Sequence, residues 1–290
     1  MTKQASVIFA LDFDGVLVDS AAETGLAGLK AAKILFPTAR WLLELEANPI
    51  RHEAILSRFR EIRPCLETGW EAALLMKLLA DEELTTDEIM NDFQSKLKHN
   101  MLNKLHLTKE NCNKALRKAR DDWIKIDAQD WVASHDFYEG ACAAVRKLLE
   151  DGHADRVYVI TTKATEYAER LLEKQGLFGE GKIAGDHIFG LGSGPKEQVL
   201  AEILEKTGDE ATIAVMVEDN LLTLEKIMST DSVSNRVLPV LASWGYNTPA
   251  QRKSALKNHF VVLNADDSSS LATVLENDKV LALMQDVKAR

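Results

Sequence analysis

Residues 7–20 read VIFALDFDGVLVDS. An apolar run, Val7 to Leu11, stops at two carboxylates one residue apart, Asp12 and Asp14. Gly15 follows, then a second apolar patch, Val16-Leu17-Val18. An apolar run of this length reads as a buried strand. A buried strand that ends in Asp-x-Asp-Gly delivers two acids to the carboxyl edge of a sheet, where open α/β sheets bind ligands. Alternate residues of an extended chain point the same way, so both acids address one pocket. Carboxylates held that close repel each other, and a bound cation or a shared proton relieves the repulsion. The competing reading is a strand end followed by a simple Asp-Gly turn, and the rest of the chain decides between them.

The chain has 290 residues and a net charge of -10. That balance argues against a nucleic-acid partner. An anionic substrate would have to be held by a local cation. Hydrophobic residues make up 46% and charged residues 28%, the balance of a globular protein. The N-terminus enters the charged motif before a signal-length apolar stretch forms, and no membrane span is present in the sequence. A cytoplasmic location is expected, or an organelle if a transit peptide was removed. Cys65, Cys112 and Cys142 are far apart and odd in number, which predicts free thiols and a reducing compartment.

From Ala21 to about Trp131 the sequence shows almost no strand-type alternation. Helices are expected over Ala21 to Phe36, Trp41 to Ala47, Ile50 to Ile62 and Trp70 to Ala80, the first three ending ahead of a proline and the fourth preceded by Gly69. Thr85-Thr-Asp-Glu88 has capping-box spacing and opens a long helix to about Leu105. Thr108 caps the next, with Leu116, Ala119, Trp123 and Ile126 along one side. From His135 the pattern changes to alternating strands and helices. Strands are expected at Arg156 to Ile160, His187 to Phe189, Thr212 to Val217, Val237 to Leu241 and Phe260 to Leu263. Helices are expected at Ala141 to Glu150, Thr165 to Gln175, Leu221 to Met228 and Leu271 to Leu275, with Pro195 in the first turn of one that runs to Lys206, and a last helix spans Lys279 to Val287. Alternation of this kind implies an α/β fold, a Rossmann-like doubly wound and mainly parallel sheet. The helical block is then an insertion after the first strand. The expected organisation is core at 1–20, an all-helical cap at 21–134, and core again at 135–290.

Four polar clusters lie at or just past strand ends: Asp12 and Asp14; Thr161-Thr162; Lys196; Glu218-Asp219. Parallel strands gather those ends on one edge. Acids from separate strands suit Mg²⁺, a hard cation that takes oxygen ligands. A hydroxyl and an ammonium beside them suit a phosphate.

With these motifs, LDFDGVLVDS, VYVITTK, GSGPK and VMVEDN, the chain resembles the haloacid dehalogenase-like hydrolase superfamily. It is most similar to the branch whose helical cap follows the first motif, which includes phosphoglycolate-phosphatase-like and β-phosphoglucomutase-like enzymes. The resemblance implies a Mg²⁺-dependent phosphatase acting on a small phosphorylated metabolite through an aspartyl-phosphate. It implies Asp12 as nucleophile and Asp14 as general acid and base. It further implies Thr161, Thr162 and Lys196 as phosphate ligands. The metal would be held by Asp12, the backbone carbonyl of Asp14, Asp219 and Glu218, the last directly or through water. Some relatives carry another acid where this chain has Thr223. Lys163 is a speculative substrate contact whose plain alternative is a solvated lysine at a helix start. In the cap, Arg63 and Trp70 are the first residues to test for substrate binding. Their plain alternatives are a solvated arginine at a helix end and a tryptophan packed between helices. The Trp244-Gly245-Tyr246 aromatics read as structural.

Three other readings remain at this stage. Sugar phosphomutase relatives carry a histidine five residues after the last acid of the first motif, where this chain has Thr24. A catalytically inactive binding protein would have lost Asp12, Asp14 or Lys196, and all three are present. Phosphonate hydrolysis would need a cap lysine, for which Lys30, Lys33 and Lys77 are candidates. Substrate identity and oligomeric state are not legible.

Overall fold

The structure is a computed structural model that describes residues 6–81, 83–276 and 279–284. Its centre is a six-stranded parallel sheet built from β1 (Val7–Leu11), β4 (Val157–Ile160), β5 (Ile188–Phe189), β6 (Ile213–Glu218), β7 (Val237–Leu241) and β8 (Val261–Val262). The spatial order is β5-β4-β1-β6-β7-β8. Two short strands, β2 (Val18–Asp19) and β3 (Asp136–Phe137), form a separate two-stranded sheet.

The apolar run that opens the chain explains the position of β1. All five of its side chains are buried, as a strand covered on both faces requires. Val7, Ile8, Phe9 and Leu11 each contribute about 1.5–3 kcal/mol by leaving water. β1 pairs with β4 on one side, Leu11 opposite Val159, and with β6 on the other, Leu11 opposite Val217. The chain runs outward from β1 through β4 to β5, then crosses back to β6 and continues outward through β7 to β8. The carboxyl end of β1 is therefore a point where the winding reverses, the place where such sheets form a crevice. One layer of core packs Ile8, Ala10, Ala214 and Met216 against Val199, Leu200, Ile203 and Leu224 of the flanking helices.

The chain divides into two compact units. One comprises Met1–Asp19 with Phe137–Arg290, and the other is Ser20–Asp136. The second unit is helical, and one of its cores packs Leu29, Phe59, Ile62, Leu75, Met76 and Phe93 together.

Several expected elements differ in detail. The helix expected from Thr85 to Leu105 is three pieces, Thr86–Asp92, a wide π turn at Phe93–Leu97, and Lys98–Lys104. The capping box does form: the Thr85 hydroxyl accepts from Glu88 N–H, and Glu88 accepts from Thr85 N–H. Pro195 is not in the first turn. It stands before the helix with extended φ and ψ of -64° and 144°, so that Lys196 opens the helix Lys196–Lys206. The strand expected from His187 is shorter, Ile188–Phe189, and a 3₁₀ turn at Gly185–His187 leads into it. Leu271 to Leu275, expected as α-helix, belongs mostly to a 3₁₀ stretch, Ser268–Val274. An unexpected helix, Pro249–Lys257, carries a full signal in Thr248-Pro-Ala-Gln251: the Thr248 hydroxyl caps Gln251 N–H and Pro249 opens the first turn. Residues 279–284 are helical, and the rest of the expected terminal helix, 285–287, lies outside the described residues.

All three cysteines are free and buried. Burial pushes the Cys65 and Cys142 thiols up to about 12 and Cys112 to about 11, so all three are inert as thiolates at neutral pH. Among the described residues, no helix is long and apolar enough to cross a membrane.

Candidate active site

Asp12 is the first residue past β1. Its N–H still donates to Val217 O at 2.8 Å, so the ladder holds its backbone rigidly. The chain then turns sharply: Leu17 N–H returns to Phe13 O at 2.9 Å and Gly15 N–H donates to Val18 O at 2.8 Å. Gly15 adopts φ +87°, a left-handed conformation that favours glycine. A Cβ at this position would stand 2.0 Å from Asp219 Oδ2. The DFDG turn and Asp219 therefore interlock. For Gly15→Ala we expect a divalent cation titrated into the protein to bind about tenfold or more weakly. The fold should lose about 1–3 kcal/mol, and a metal titration with a melting curve checks both.

Glu218 and Asp219 come from the end of β6. The strand runs one residue further than expected and takes in Glu218. Glu218 is 1% exposed, and both of its oxygens are engaged by the chain. Oε1 accepts from Asn220 N–H at 3.0 Å and Oε2 from Lys196 Nζ at 2.7 Å. Asp219 Oδ2 accepts from Tyr246 N–H at 2.6 Å. Asn220 turns its side chain onto Leu222 and Thr223 N–H and caps the next helix, Leu221–Met228.

Lys196 joins these groups. Its Nζ lies 2.7 Å from Asp12 Oδ1 and 2.7 Å from Glu218 Oε2. Burial acts to lower the Lys196 ammonium, but Asp12 and Glu218 outweigh it and raise it above the ordinary lysine value. Lys196 stays charged. Burial, with Glu218 adding to it, pushes Asp12 up to about 7 against the pull of Lys196. Burial also raises Glu218, Asp219 adding and Lys196 opposing. One lysine does not neutralise three buried acids. Asp12, Glu218 and Asp219 each place a carboxylate oxygen within 4.8 Å of the others. Hard oxygen donors, an excess of buried negative charge and this spacing fit a single divalent cation.

On the other side of β1, Thr161 follows β4. It is buried, its N–H donates to Phe189 O, and its hydroxyl accepts from Lys163 N–H at 3.1 Å. Thr162 is exposed. Lys163 is not the solvated lysine of its plain alternative. Its side chain is 1% exposed and its Nζ lies 3.1 Å from Asp14 Oδ1. The Phe13 ring lies under the same ammonium at 6.0 Å. The two acids of the motif therefore each have a lysine, Lys196 on Asp12 and Lys163 on Asp14. The sequence displayed Lys163 in TTK but offered no way to tell a buried lysine from a solvated one.

The remaining candidates lie in the helical unit. Trp70 is buried in a cluster with Leu74, Met101 and Cys112, and Lys98 lies over its ring at 5.7 Å. Arg63 is half-buried at the end of helix Pro49–Ile62. Lys33 pairs with Glu46 and Lys77 with Asp81, while Lys30 lies over the Trp123 ring at 4.6 Å. A second set of residues has a role that the sequence reading missed. Gly245, Tyr246 and Asn247 hold Asp219 from behind. A Cβ on Gly245 would stand 2.3 Å from Gly15 O and 2.4 Å from Asp219 Cβ. The aromatics beside Gly245 read as structural, but the Tyr246 backbone touches the acid directly.

A family model for haloacid dehalogenase-like hydrolases matches residues 8–223. No curated protein matches the chain. Among solved structures, a candidate phosphoglycolate phosphatase from Lactobacillus delbrueckii subsp. bulgaricus matches with 14% identity and a TM-score of 0.52, over 94% of this chain and 99% of that one. A predicted phosphoglycolate phosphatase from Haemophilus somnus matches with 15% identity and a TM-score of 0.53, over 95% and 100%. At these identities the likeness is one of fold.

Proposed function

This chain belongs to the haloacid dehalogenase-like hydrolases, and we propose that it is a Mg²⁺-dependent phosphatase acting on a small phosphorylated metabolite. The observation that carries the reading is the Asp12–Lys196–Glu218 cluster beside Asp219, at the point where the sheet's winding reverses. Both structural relatives described above bear the name of phosphoglycolate phosphatase.

In this reading Asp12 attacks the phosphorus. The P–O bond to the leaving alcohol breaks, and Asp14 gives that oxygen its proton. An aspartyl-phosphate is left on Asp12. Asp14 then takes a proton from a water that attacks the same phosphorus, and the P–O bond to Asp12 breaks, releasing inorganic phosphate. Lys196 holds Asp12 in place and offsets charge that builds on the phosphoryl oxygens. The Thr161 hydroxyl and the amides beside it, with Thr162 at the exposed edge, bind the phosphate. Lys163 orients Asp14 and adds a second cation. Asp12, Asp219 and the Asp14 carbonyl hold Mg²⁺, and Glu218, whose oxygens are engaged, acts through Lys196 or water. When bound, Mg²⁺ supplies charge neutralisation that one lysine cannot. Arg63 stays the candidate for substrate selection, whereas Trp70, packed with Leu74, Met101 and Cys112, is a core residue of the helical unit. Thr24 stands where the mutase relatives carry their histidine, which favours transfer to water. A cytoplasmic location belongs to the same proposal, and the three free, buried thiols support it because they suit a reducing compartment.

The test is release of inorganic phosphate from a panel of small phosphate esters. Release that needs Mg²⁺ and stops with chelator supports the reading; a protein silent across the panel with Mg²⁺ supplied counts against it. The pH dependence has a definite sign. Asp12 is raised to about 7 in the metal-free protein, so below that pH a cation must displace a proton. Mg²⁺ affinity, followed by calorimetry, should climb by up to about tenfold per pH unit toward pH 7 and level off above it.

A further inference from the structure

The geometry points to Arg252 and Asn247 as positioning residues that set metal affinity from behind Asp219, through the loop 242–247. This inference rests on the proposed Mg²⁺ site and adds the device that holds its principal acid.

The loop leaves β7 at Ala242, whose N–H donates to Glu218 O at 2.9 Å. It reaches the site twice. Tyr246 N–H donates to Asp219 Oδ2 at 2.6 Å, and Asn247 Nδ2 donates to the Asp219 backbone carbonyl at 3.1 Å. The same Nδ2 donates to Ala242 O at 2.9 Å, so Asn247 closes the loop on itself while holding Asp219. Asn247 is buried. Its amide orientation is fixed from the far side by Arg252 on the helix Pro249–Lys257. Arg252 Nη1 donates to Asn247 Oδ1 at 3.1 Å, to Asn247 O at 3.3 Å and to Ser243 O at 3.2 Å. A cation at Asn247 Oδ1 forces the amide to present its NH₂ group to Asp219. Gly245 lets the loop close: a Cβ there would strike Gly15 O and Asp219 Cβ. The loop, the DFDG turn and Asp219 are thus packed as one body, with Arg252 as its outer anchor.

Fixing a carboxylate in the orientation it needs for a cation removes the cost of ordering it on binding. Arg252 lies one residue beyond that contact. It touches neither the acids nor the substrate groups named above, so its loss should act on the metal and leave the phosphate side alone.

The experiment is Mg²⁺ binding by calorimetry to the full chain without substrate, for wild type, Arg252→Met, Arg252→Lys and Asn247→Ala. Substrate KM and kcat are measured at saturating Mg²⁺ in parallel. We expect Asn247→Ala and Arg252→Met to weaken Mg²⁺ about 10- to 100-fold, with Arg252→Lys recovering part of the loss. KM and saturated kcat of Arg252→Met should stay near wild type. Variants that melt earlier but bind Mg²⁺ as wild type does would make the loop merely structural and overturn the inference. A fall in saturated kcat with Mg²⁺ affinity unchanged would overturn it as well. If Asn247→Ala does not fold, the Arg252 pair carries the test. Wild type that binds no Mg²⁺ would instead sink the metal reading itself, so the two failures are distinguishable.

Discussion

Asp12→Asn should lose about 10⁴-fold or more of phosphatase turnover while melting no lower than wild type at pH 8 in the absence of metal. The two halves have one cause. An amide keeps the shape of the carboxylate but is far too weak a nucleophile to attack phosphorus. The stability half follows from the raised Asp12 pKa. Burial and Glu218 hold the folded group at about 7, well above its ordinary 3.8. Between those two values the folded protein keeps a proton that the unfolded chain releases. Stability therefore falls as pH rises through that window, and the loss is complete above about 7. The substituted amide carries no charge and avoids the loss. Lys196 keeps Glu218 as its partner at 2.7 Å. The same variant should gain much less stability from Mg²⁺ than wild type does, because one donor is gone. Turnover within tenfold of wild type would remove Asp12 from the nucleophile role, and a large drop in melting temperature would mean that its charge supports the fold.

Lys196→Met has the opposite signature. It removes the ammonium that lies 2.7 Å from both Asp12 and Glu218 and leaves two buried acids facing each other with Asp219 nearby. Breaking a buried pair from one side costs about 3–5 kcal/mol, and we expect a loss of that order at pH 8. Lowering the pH to about 6 should recover part of it, because Asp12, already at about 7 beside Lys196, rises further without it and takes up a proton. Added Mg²⁺ should recover part as well, by supplying positive charge at the same acids. Turnover should fall about 10²- to 10³-fold, the scale of losing one charge-stabilising donor. Thermal melts across pH with and without Mg²⁺ check the first claim, and kcat/KM checks the second. A melting temperature unchanged at pH 8 would show that the three acids do not depend on this lysine.

Much of this site was legible because a strand end is written in the sequence. VIFAL, VYVI and IAVMV are apolar runs that stop at a polar residue, and parallel pairing does the rest: Leu11 lies level with both Val159 and Val217. Asp12, Thr161 and Glu218 follow from that register. The α/β class and the six-stranded parallel sheet follow from the alternation after His135. Lys163 shows where the reading stops. Whether a long cation after a strand is solvated or buried depends on what stands opposite, and Asp14 is 149 positions away in sequence by the numbering of the two residues. Gly15, Gly245 and Asn247 were hidden for the same reason: their roles are close approaches between the DFDG turn, Asp219 and a loop after β7. The π turn at Phe93–Leu97 left no mark either, because its composition is that of an ordinary helix. The helix after Thr248 is different. Its capping signal was in plain view in the sequence.

The central claim is a covalent phosphate on Asp12, and trapping it is the most direct measurement. The protein, turning over a phosphate ester in the presence of Mg²⁺, is quenched in acid and reduced with borohydride, and its peptides are mass-mapped. An acyl phosphate is reduced where a free carboxylate is not. We predict conversion of Asp12 to homoserine, dependent on substrate and Mg²⁺ and absent at Asp14. An active enzyme, quenched under the same conditions, that yields the reduced residue at another acid would contradict the account.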